Sequence, residues 1–158
     1  MKKFELTSET KVVFGVKLFR IKALVSFGCV VAGELGGWVE KEENLNQSGD
    51  AWVSDNARVS GDAWVSDNAR VSGNARVSGN ARVSDNAHYL LVGKIGSRKG
   101  FTTFFRNKDN GISVECGCFL GTLAQFRAKV KETHGDNKHA QVYLKTADLA
   151  ELQIDLTD

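Results

Sequence analysis

Residues 49–90 read GDAWVS DNARVS GDAWVS DNARVS GNARVS GNARVS DNAHYL, which is one six-residue phrase written seven times in succession. A fixed period of this kind outweighs local propensity as evidence about a fold. In the first six phrases an alanine stands two residues before a valine, as with Ala51 and Val53, so the two side chains share one face of a short strand. Ser, Gly, Asp and Asn follow, and these residues suit corners because glycine accepts a positive φ and Asn and Asp tolerate it. The repeat therefore predicts very short strands joined by similar corners.

A run of 42 such residues indicates a coil that turns the same way at every corner, because hairpins reverse direction and need longer strands. The run resembles the hexapeptide-repeat family of left-handed parallel β-helices, in which three phrases make one triangular coil. An alternative interpretation is a disordered low-complexity tract, but such tracts lack regularly placed apolar residues. The resemblance rests on the aliphatic position of six consecutive phrases, each with its alanine two residues before: Val53, Val59, Val65, Val71, Val77 and Val83.

Three phrases per coil imply that residues 18 apart stack in columns. Strands stack about 4.8 Å apart, so an arginine in such a column can lie on a tryptophan in a cation–π contact. We interpret these columns as structural, and not as a ligand-binding stripe, because aspartates of the same phrases cancel the arginine charge. The predicted columns are Trp52 with Arg70 and His88, Arg58 with Arg76, and Trp64 with Arg82.

The residues before the repeat predict two strands, over Lys11–Lys17 and Lys17–Ser26, with a turn or bulge near Gly15. An atypical first coil is predicted to begin near Gly33 and to cap the open end of the solenoid, since an unpaired coil exposes edge hydrogen bonds. Val39 and Leu45 precede Ala51 by multiples of six, which places them on the alanine register of the repeat.

The residues after the repeat predict a different module. Three strands are predicted, over His88–Ile95, Phe101–Asn107 and Ile112–Phe119. Thr122 with Gln125 forms a capping-box pattern that begins a helix, and this helix is predicted to end by Gly135. A second helix follows, with Asp136 as its predicted cap. Because its apolar residues lie on two sides, we expect it to pack both on its own sheet and on a neighbouring subunit.

The sequence thus predicts a mainly β fold: a short left-handed parallel β-helix with an N-terminal β cap and a C-terminal α+β module of three strands and two helices. The predicted domains are a β-hairpin cap over 1–32, the repeat β-helix over 33–90 and the C-terminal module over 91–158.

Bulk composition excludes several classes of function. A net charge of +2 without a long block of like charge argues against a dedicated nucleic-acid-binding protein. No apolar stretch follows the basic start, so we predict no signal peptide, and the longest apolar run, Tyr89–Val92, is too short for a membrane span. Three cysteines indicate reduced thiols and a cytoplasmic protein. Cys116, Cys118, His134 and His139 leave a metal site as an alternative, but their spacing is not that of a zinc motif, and we predict no metal and no cofactor.

Most of the chain is similar to small hexapeptide-repeat proteins that phages and prophages often encode. This resemblance implies a bacterial host cell as the location, and it implies no settled activity. The residues that carry it are Gly33–Val39, the repeat, Ile95–Arg98, Phe104–Arg106, Cys116–Phe119 and Thr133–Asp136.

The residues after the repeat also supply a candidate anion site. The free backbone N–H groups of the helix that Thr122 begins can hold an anion, and Gly121 allows close backbone approach. Basic side chains and hydroxyls on the neighbouring strands and turn can grip a phosphate. The candidate ligand-binding residues are Arg98, Lys99, Thr102 (or Thr103), Arg106, Gly121 and Thr122. We predict no catalytic residue and a non-enzymatic oligomer that sequesters a small anionic, nucleotide-type immune signal.

Two alternatives are a protein–protein inhibitor or scaffold and an acyltransferase. Tryptophan is enriched at interface hot spots, and the candidate interface residues are Trp38, Trp52, Trp64, Tyr143 and Leu149. Acyltransferases with hexapeptide repeats use a histidine base between subunits, and His88 is the only histidine of the repeat. His88 lies at the exit of a short coil without a looped-out insertion, which argues against this activity. A trimer fits the triangular coil of the family, with a dimer through the second helix as the alternative.

Overall fold

The computed structural model describes residues 2–157, a mainly β chain with two helices and a β-solenoid repeat region. The chain divides after Asn86 into two compact units. The first unit contains three longer strands, a 3-10 helix over Glu42–Asn44 and six strands of two residues each. In chain order the strands are β1 Phe4–Val13, β2 Val16–Ala23, β3 Leu35–Val39, β4 Trp52–Val53, β5 Arg58–Val59, β6 Trp64–Val65, β7 Arg70–Val71, β8 Arg76–Val77 and β9 Arg82–Val83.

The short strands pair in parallel with partners 18 residues further on, as the sequence predicts. Trp52 pairs with Arg70, Arg58 with Arg76 and Trp64 with Arg82. The alanine and valine of each phrase are buried, so both point into the coil. The predicted third member of the first column is wrong, because His88 belongs to a 3-10 helix over Asn86–His88 and not to a strand.

The corners recur with the period of the sequence. A positive φ is found once in each of the first six phrases, at glycine in four corners and at aspartate in two, with φ of 58° at Asp55 and 53° at Asp67. These are the residue types for which the left-handed region costs least. The complete set is Gly49, Asp55, Gly61, Asp67, Gly73 and Gly79.

The residues before the repeat form a hairpin followed by a strand that joins the coil. β1 begins at Phe4 and not at Lys11, and β1 and β2 meet at a turn over Phe14–Gly15. β3 pairs antiparallel with β2 and parallel with β5.

The predicted register of this segment is wrong by two residues. Val39 pairs with Val59, and Leu45 forms a bridge with Val65, so both take the valine position of the repeat and not the alanine position. The cause is the segment between Leu45 and Val53, in which eight residues separate two successive valine positions instead of six.

Two side chains make hydrogen bonds that backbone groups make elsewhere in the coil. Within the repeat, backbone N–H groups donate to carbonyls of the next coil, as Trp52 does to Ala69 at 3.1 Å. At the first coil the Lys3 ammonium donates to the carbonyl oxygens of Ala51 at 2.8 Å and Gly49 at 3.3 Å. The Asn44 amide donates to the carbonyls of the following corner in the same way, at 2.8 Å to Ala63.

Lys3 gives the first unit a pH-dependent stability. Burial lowers the pKa of Lys3 to about 8, and the Asp50 carboxylate opposes this shift. Between pH 8 and 10.5 the unfolded chain therefore retains a proton that the folded protein has released, so the free energy of unfolding rises with pH. Urea unfolding across this window is expected to show a rise of the unfolding free energy in the wild-type protein that is smaller in Lys3→Met, where the lowered pKa of Lys11 still contributes.

Lys2→Met is the matched control for that experiment. Lys2 is exposed, and a hydrogen bond and the charge of the Glu42 carboxylate raise its pKa. This variant is expected to keep the wild-type rise of stability above pH 8. If the free energy of unfolding rises with pH at the same slope in the wild-type protein and in Lys3→Met, the prediction is wrong.

The second unit is an antiparallel sheet with two helices on one face. Its strands are β10 Tyr89–Ile95, β11 Gly100–Arg106, β12 Ile112–Cys116 and β13 Phe119–Thr122, and its helices are α1 Leu123–His134 and α2 Lys138–Gln153. Sequence reasoning predicts three strands, but the third is split into β12 and β13 by a turn in which Gly117 takes a φ of 59°.

The N-terminus of each helix is set by capping hydrogen bonds from nearby side chains. The Thr122 hydroxyl accepts from the Gln125 N–H at 3.2 Å, and the Gln125 side chain accepts from the Thr122 N–H at 2.9 Å, which confirms the capping box. α1 ends at Gly135 as predicted. The predicted cap of α2 is wrong by one residue, because the Asn137 side chain accepts from the Ala140 N–H at 2.9 Å.

The core of the second unit lies between the sheet and the helices. Cross-strand partners share one face, so the row Val92, Thr102, Cys116 and Phe119 crosses the sheet on the helix side. The buried core residues are Phe104, Ile112, Val114, Leu123, Phe126, Val130, Ala140, Ala147, Ala150 and Ile154. In the described part of the chain, neither helix has the length and apolar character needed to cross a lipid bilayer.

Candidate ligand-binding site

The structure does not bring the predicted anion-binding residues together. Arg98 and Lys99 are exposed in the turn between β10 and β11. Arg106 is at the opposite end of β11, about 20 Å from that turn at 3.3 Å per residue, and its side chain is buried. A single phosphate therefore cannot contact all three side chains.

At the N-terminus of α1, where an anion was predicted to bind, the Gln125 side chain bonds to the backbone. The Thr122 N–H and hydroxyl both bond to Gln125. The Gln125 side-chain oxygen also lies 2.6 Å from the position of a Cβ on Gly121, so the close approach that this glycine allows is made by Gln125. Thr102 is buried, and its hydroxyl donates to the Cys116 sulfur at 3.2 Å.

Trp52 does not lie at the surface, in contrast to its predicted role at an interface. Only 2% of its surface is exposed, because residues before the repeat cover it. The ring of Phe27 packs edge-on at 5.4 Å and the ring of Phe4 at 6.5 Å. Residues 2–157 provide no hydrogen-bond acceptor for its Nε1–H.

The other interface candidates differ in exposure. Trp38 is half-buried, and the Lys11 ammonium lies 4.2 Å from its ring centroid. Trp64 is exposed over 42% of its surface and Leu149 over 46%. Tyr143 is half-buried within the second unit.

A cavity of about 110 Å³ opens beside Tyr143, between the sheet and the two helices of the second unit. Its wall contains the three aromatic rings of Phe119, Phe126 and Tyr143. Phe126 lies at the centre, with its ring 5.8 Å from each of the other two rings. Cys116 supplies a thiol at the sheet side, and Lys129 and Thr133 of α1 supply polar groups at the rim.

The end of α1 closes one side of this cavity. The His134 ring stacks on the Tyr143 ring at 5.7 Å with an interplanar angle of 24°. His139, one helical turn before Tyr143 on α2, lies 5.7 Å from His134. No three His, Cys, Asp or Glu side chains among residues 2–157 converge in a way that would hold a metal ion.

The Tyr143 hydroxyl is held in a fixed place as a neutral donor. Burial raises its pKa, as do the charge of Cys116 and a hydrogen bond to it, whereas the positive charge of Arg98 acts in the opposite direction. The hydroxyl packs against Gly96, whose φ of 82° and lack of a side chain leave space for it. The cavity lining therefore contains a phenol and a thiol that are bonded to each other, beside the rings of Phe119 and Phe126.

The solvent edge of the cavity carries positive charge. Lys129 is exposed, and its ion pair with Glu132 is long, at 3.7 Å. Arg98 lies close enough to Tyr143 for its charge to act on the hydroxyl. Of the six residues predicted to bind a ligand, none lines this cavity, although Thr102 bonds to the lining residue Cys116 and Gly121 lies beside the ring of Phe119.

Sequence reasoning missed most of the cavity residues. Phe126 falls within the helix predicted after Thr122, and Tyr143 was predicted as an interface residue, because apolar residues at helical spacing indicate a core as readily as a site. The two lie on different helices and meet only through tertiary packing.

Comparison with known proteins supports the repeat. The repeat is similar to the family described as YdcK Beta solenoid repeat, with matches over residues 51–67, 63–79 and 69–88. These matches span about a quarter of the chain and support a repeat β-solenoid protein. No curated protein matches the chain.

Proposed function

We propose that the chain is a non-enzymatic binding protein that holds a small anionic, nucleotide-type ligand in the cavity of its second unit. The observation that carries this proposal is an aromatic-walled cavity with a positively charged edge. A cavity of about 110 Å³ suits one planar ring, so a base would enter between Phe119, Phe126 and Tyr143. Stacking of a base on an aromatic side chain is worth about 1–3 kcal/mol.

The phosphate of such a ligand would remain at the rim, beside Lys129 and Arg98. An exposed ion pair is worth only about 0.2–1 kcal/mol, so Lys129 exchanges Glu132 for a phosphate at little cost. Inside the cavity the ring of Tyr143, whose neutral hydroxyl is bonded to Cys116, is a stacking face for the base. This assignment replaces Arg106, Gly121 and Thr122 of the sequence-based site with Phe126, Lys129 and Tyr143.

In this proposal the repeat is a frame and does not contact the nucleotide. We propose a left-handed hexapeptide coil, capped by the residues before the repeat through Lys3 and Asn44, and a homo-oligomer with a trimer preferred. The resemblance of the sequence to phage and prophage proteins supports a bacterial cytoplasm as its location. A nucleotide signal of host immunity is the ligand that fits that setting.

Calorimetric titration with a nucleoside, its monophosphate, a cyclic dinucleotide, ADP-ribose and inorganic phosphate tests the proposal. We expect nucleotides to bind more tightly than the nucleoside, and inorganic phosphate to bind weakest. Tyr143→Ala is expected to weaken nucleotide binding by about tenfold or more, since 1.4 kcal/mol is a factor of ten. Native mass spectrometry of protein from a bacterial lysate reports the stoichiometry and any co-purified nucleotide together.

Two lysines of α1 provide a matched pair of variants that tests the role of positive charge at the rim of the cavity. Lys129→Gln is expected to lower the affinity for the monophosphate and to leave that for the nucleoside unchanged. Lys131→Gln, an exposed lysine of the same helix outside the cavity, is expected to change neither. Absence of heat with every nucleotide, or equal effects of the two variants, contradicts the proposal.

A further inference from the structure

A second cavity, of about 300 Å³, lies in the first unit where the 3-10 helix faces the repeat. We call it the Trp64 groove, and it has no part in the function proposed above. Its lining residues are Glu42, Glu43, Leu45, Asn46, Gln47 and Trp64.

The walls of the Trp64 groove are fixed by hydrogen bonds. The Asn46 N–H donates to the Val65 carbonyl at 2.9 Å, which ties this wall to the strand that carries Trp64. The Gln47 side-chain oxygen accepts from the Lys3 N–H at 2.7 Å and the Phe4 N–H at 3.2 Å. Because both walls are held by backbone groups, little ordering is needed when a ligand binds.

The groove combines an exposed aromatic face with negative charge. Trp64 is one of the most exposed large apolar residues of the repeat, at 42%. The lining contains two carboxylates, of Glu42 and Glu43, and no cationic side chain. Glu42 pairs with the exposed Lys2 at 2.8 Å, whereas Glu43 is exposed and has no ion-pair partner within residues 2–157.

The arginine that follows Trp64 in the same column is held by backbone carbonyls of its own coil and of the coil that contains Trp64. Arg82 pairs in register with Trp64, and its Nη1 donates to the carbonyl oxygens of Asp62 at 3.1 Å and Ala81 at 3.0 Å. Elsewhere in the first unit the chain places lysine ammonium groups on aromatic rings, as Lys11 does on Trp38 at 4.2 Å.

We infer that the Trp64 groove binds an arginine side chain of a protein partner. The guanidinium stacks on the face of the Trp64 indole, since arginine is the cation most often found over tryptophan. The Glu43 carboxylate accepts its hydrogen bonds, and a planar guanidinium can donate two in parallel to one carboxylate. Lys2 neutralises Glu42, and the amides of Asn46 and Gln47 are uncharged, so Glu43 supplies the net negative charge of the lining.

NMR titration with Nα-acetyl-arginine methylamide tests this inference on the full chain. The protein has three tryptophans and hence three indole N–H signals, and the one that Trp64→Phe lacks is assigned to Trp64. We expect that signal to shift in a saturable way with a dissociation constant of about 1–10 mM, while the Trp52 signal stays in place. The citrulline analogue, which has the same shape without the charge, is expected to bind at least fivefold more weakly.

Two glutamates provide the matched variants. Glu43→Gln is expected to weaken the binding of the arginine compound at least threefold. Glu5 is an exposed carboxylate outside the groove, and Glu5→Gln is expected to leave this binding unchanged. Equal shifts with the arginine and citrulline compounds overturn the inference, as does no shift of the Trp64 signal at about 50 mM. A loss of affinity in Glu5→Gln equal to that in Glu43→Gln also overturns it, because the charge effect is then general and not local.

Discussion

Phe126→Ala is expected to lower the free energy of unfolding of the second unit by about 3–5 kcal/mol. Only 3% of the Phe126 surface is exposed. Its ring contacts those of Phe104, Phe119 and Tyr143, each at a centroid distance of 5.8 Å. The substitution removes these contacts and leaves a cavity that the sheet cannot fill. Since both helices belong to this unit, urea unfolding followed by circular dichroism at the helix band measures the loss.

Phe126→Leu separates the stability of the unit from its binding. Leucine keeps most of the apolar volume, so the expected cost is about 1 kcal/mol, and the unit stays folded. It removes the aromatic face, so the affinity for nucleotides is expected to fall while the helix signal is retained. A loss below 1 kcal/mol for Phe126→Ala contradicts the burial of this ring, and unchanged nucleotide affinity in Phe126→Leu contradicts its stacking role.

The repeat was predictable because its information is local and repeated. Each phrase contains its own inward pair and its own corner residue, so the positive φ at Asp55 follows from the same rule as that at Gly61. The capping box of Thr122 was predictable for the same reason, since its bonds join residues three apart. The register of Val39 was not predictable. Nothing local indicates that the segment before Val53 contains two residues more than the six-residue period requires.

The cavity of the second unit was not predictable from local patterns. Cys116, Phe126 and Tyr143 are on three different elements, and a turn at Gly117 that the sequence signals only weakly decides how the sheet ends. Each residue has an ordinary role in its own element, as a strand end or a buried helix face. Their convergence depends on the packing of α1 and α2 on one sheet face, which is a property of the whole unit.

The burial of Trp52 is likewise a feature that local patterns did not predict. Its position in the phrase is identical to that of Trp64, which is exposed, and the repeat alone therefore predicts the same exposure for both. The difference comes from Phe4 and Phe27, which lie outside the repeat and cover only one of the two rings.

Trp52→Ala is therefore expected to lower the free energy of unfolding of the first unit by about 3–5 kcal/mol, whereas Trp64→Ala is expected to change it by less than about 1 kcal/mol. The packing around Trp52 is tight, since a Cβ on Gly36 would lie 2.6 Å from its ring.

Trp52→Phe keeps an aromatic ring and removes an N–H that has no acceptor in the described part of the chain. A buried unpaired donor costs about 1–3 kcal/mol, and this relief offsets the lost volume, so we expect a net change within about 1 kcal/mol. Urea unfolding of the three variants measures the differences, and equal losses for Trp52→Ala and Trp64→Ala contradict the burial of Trp52.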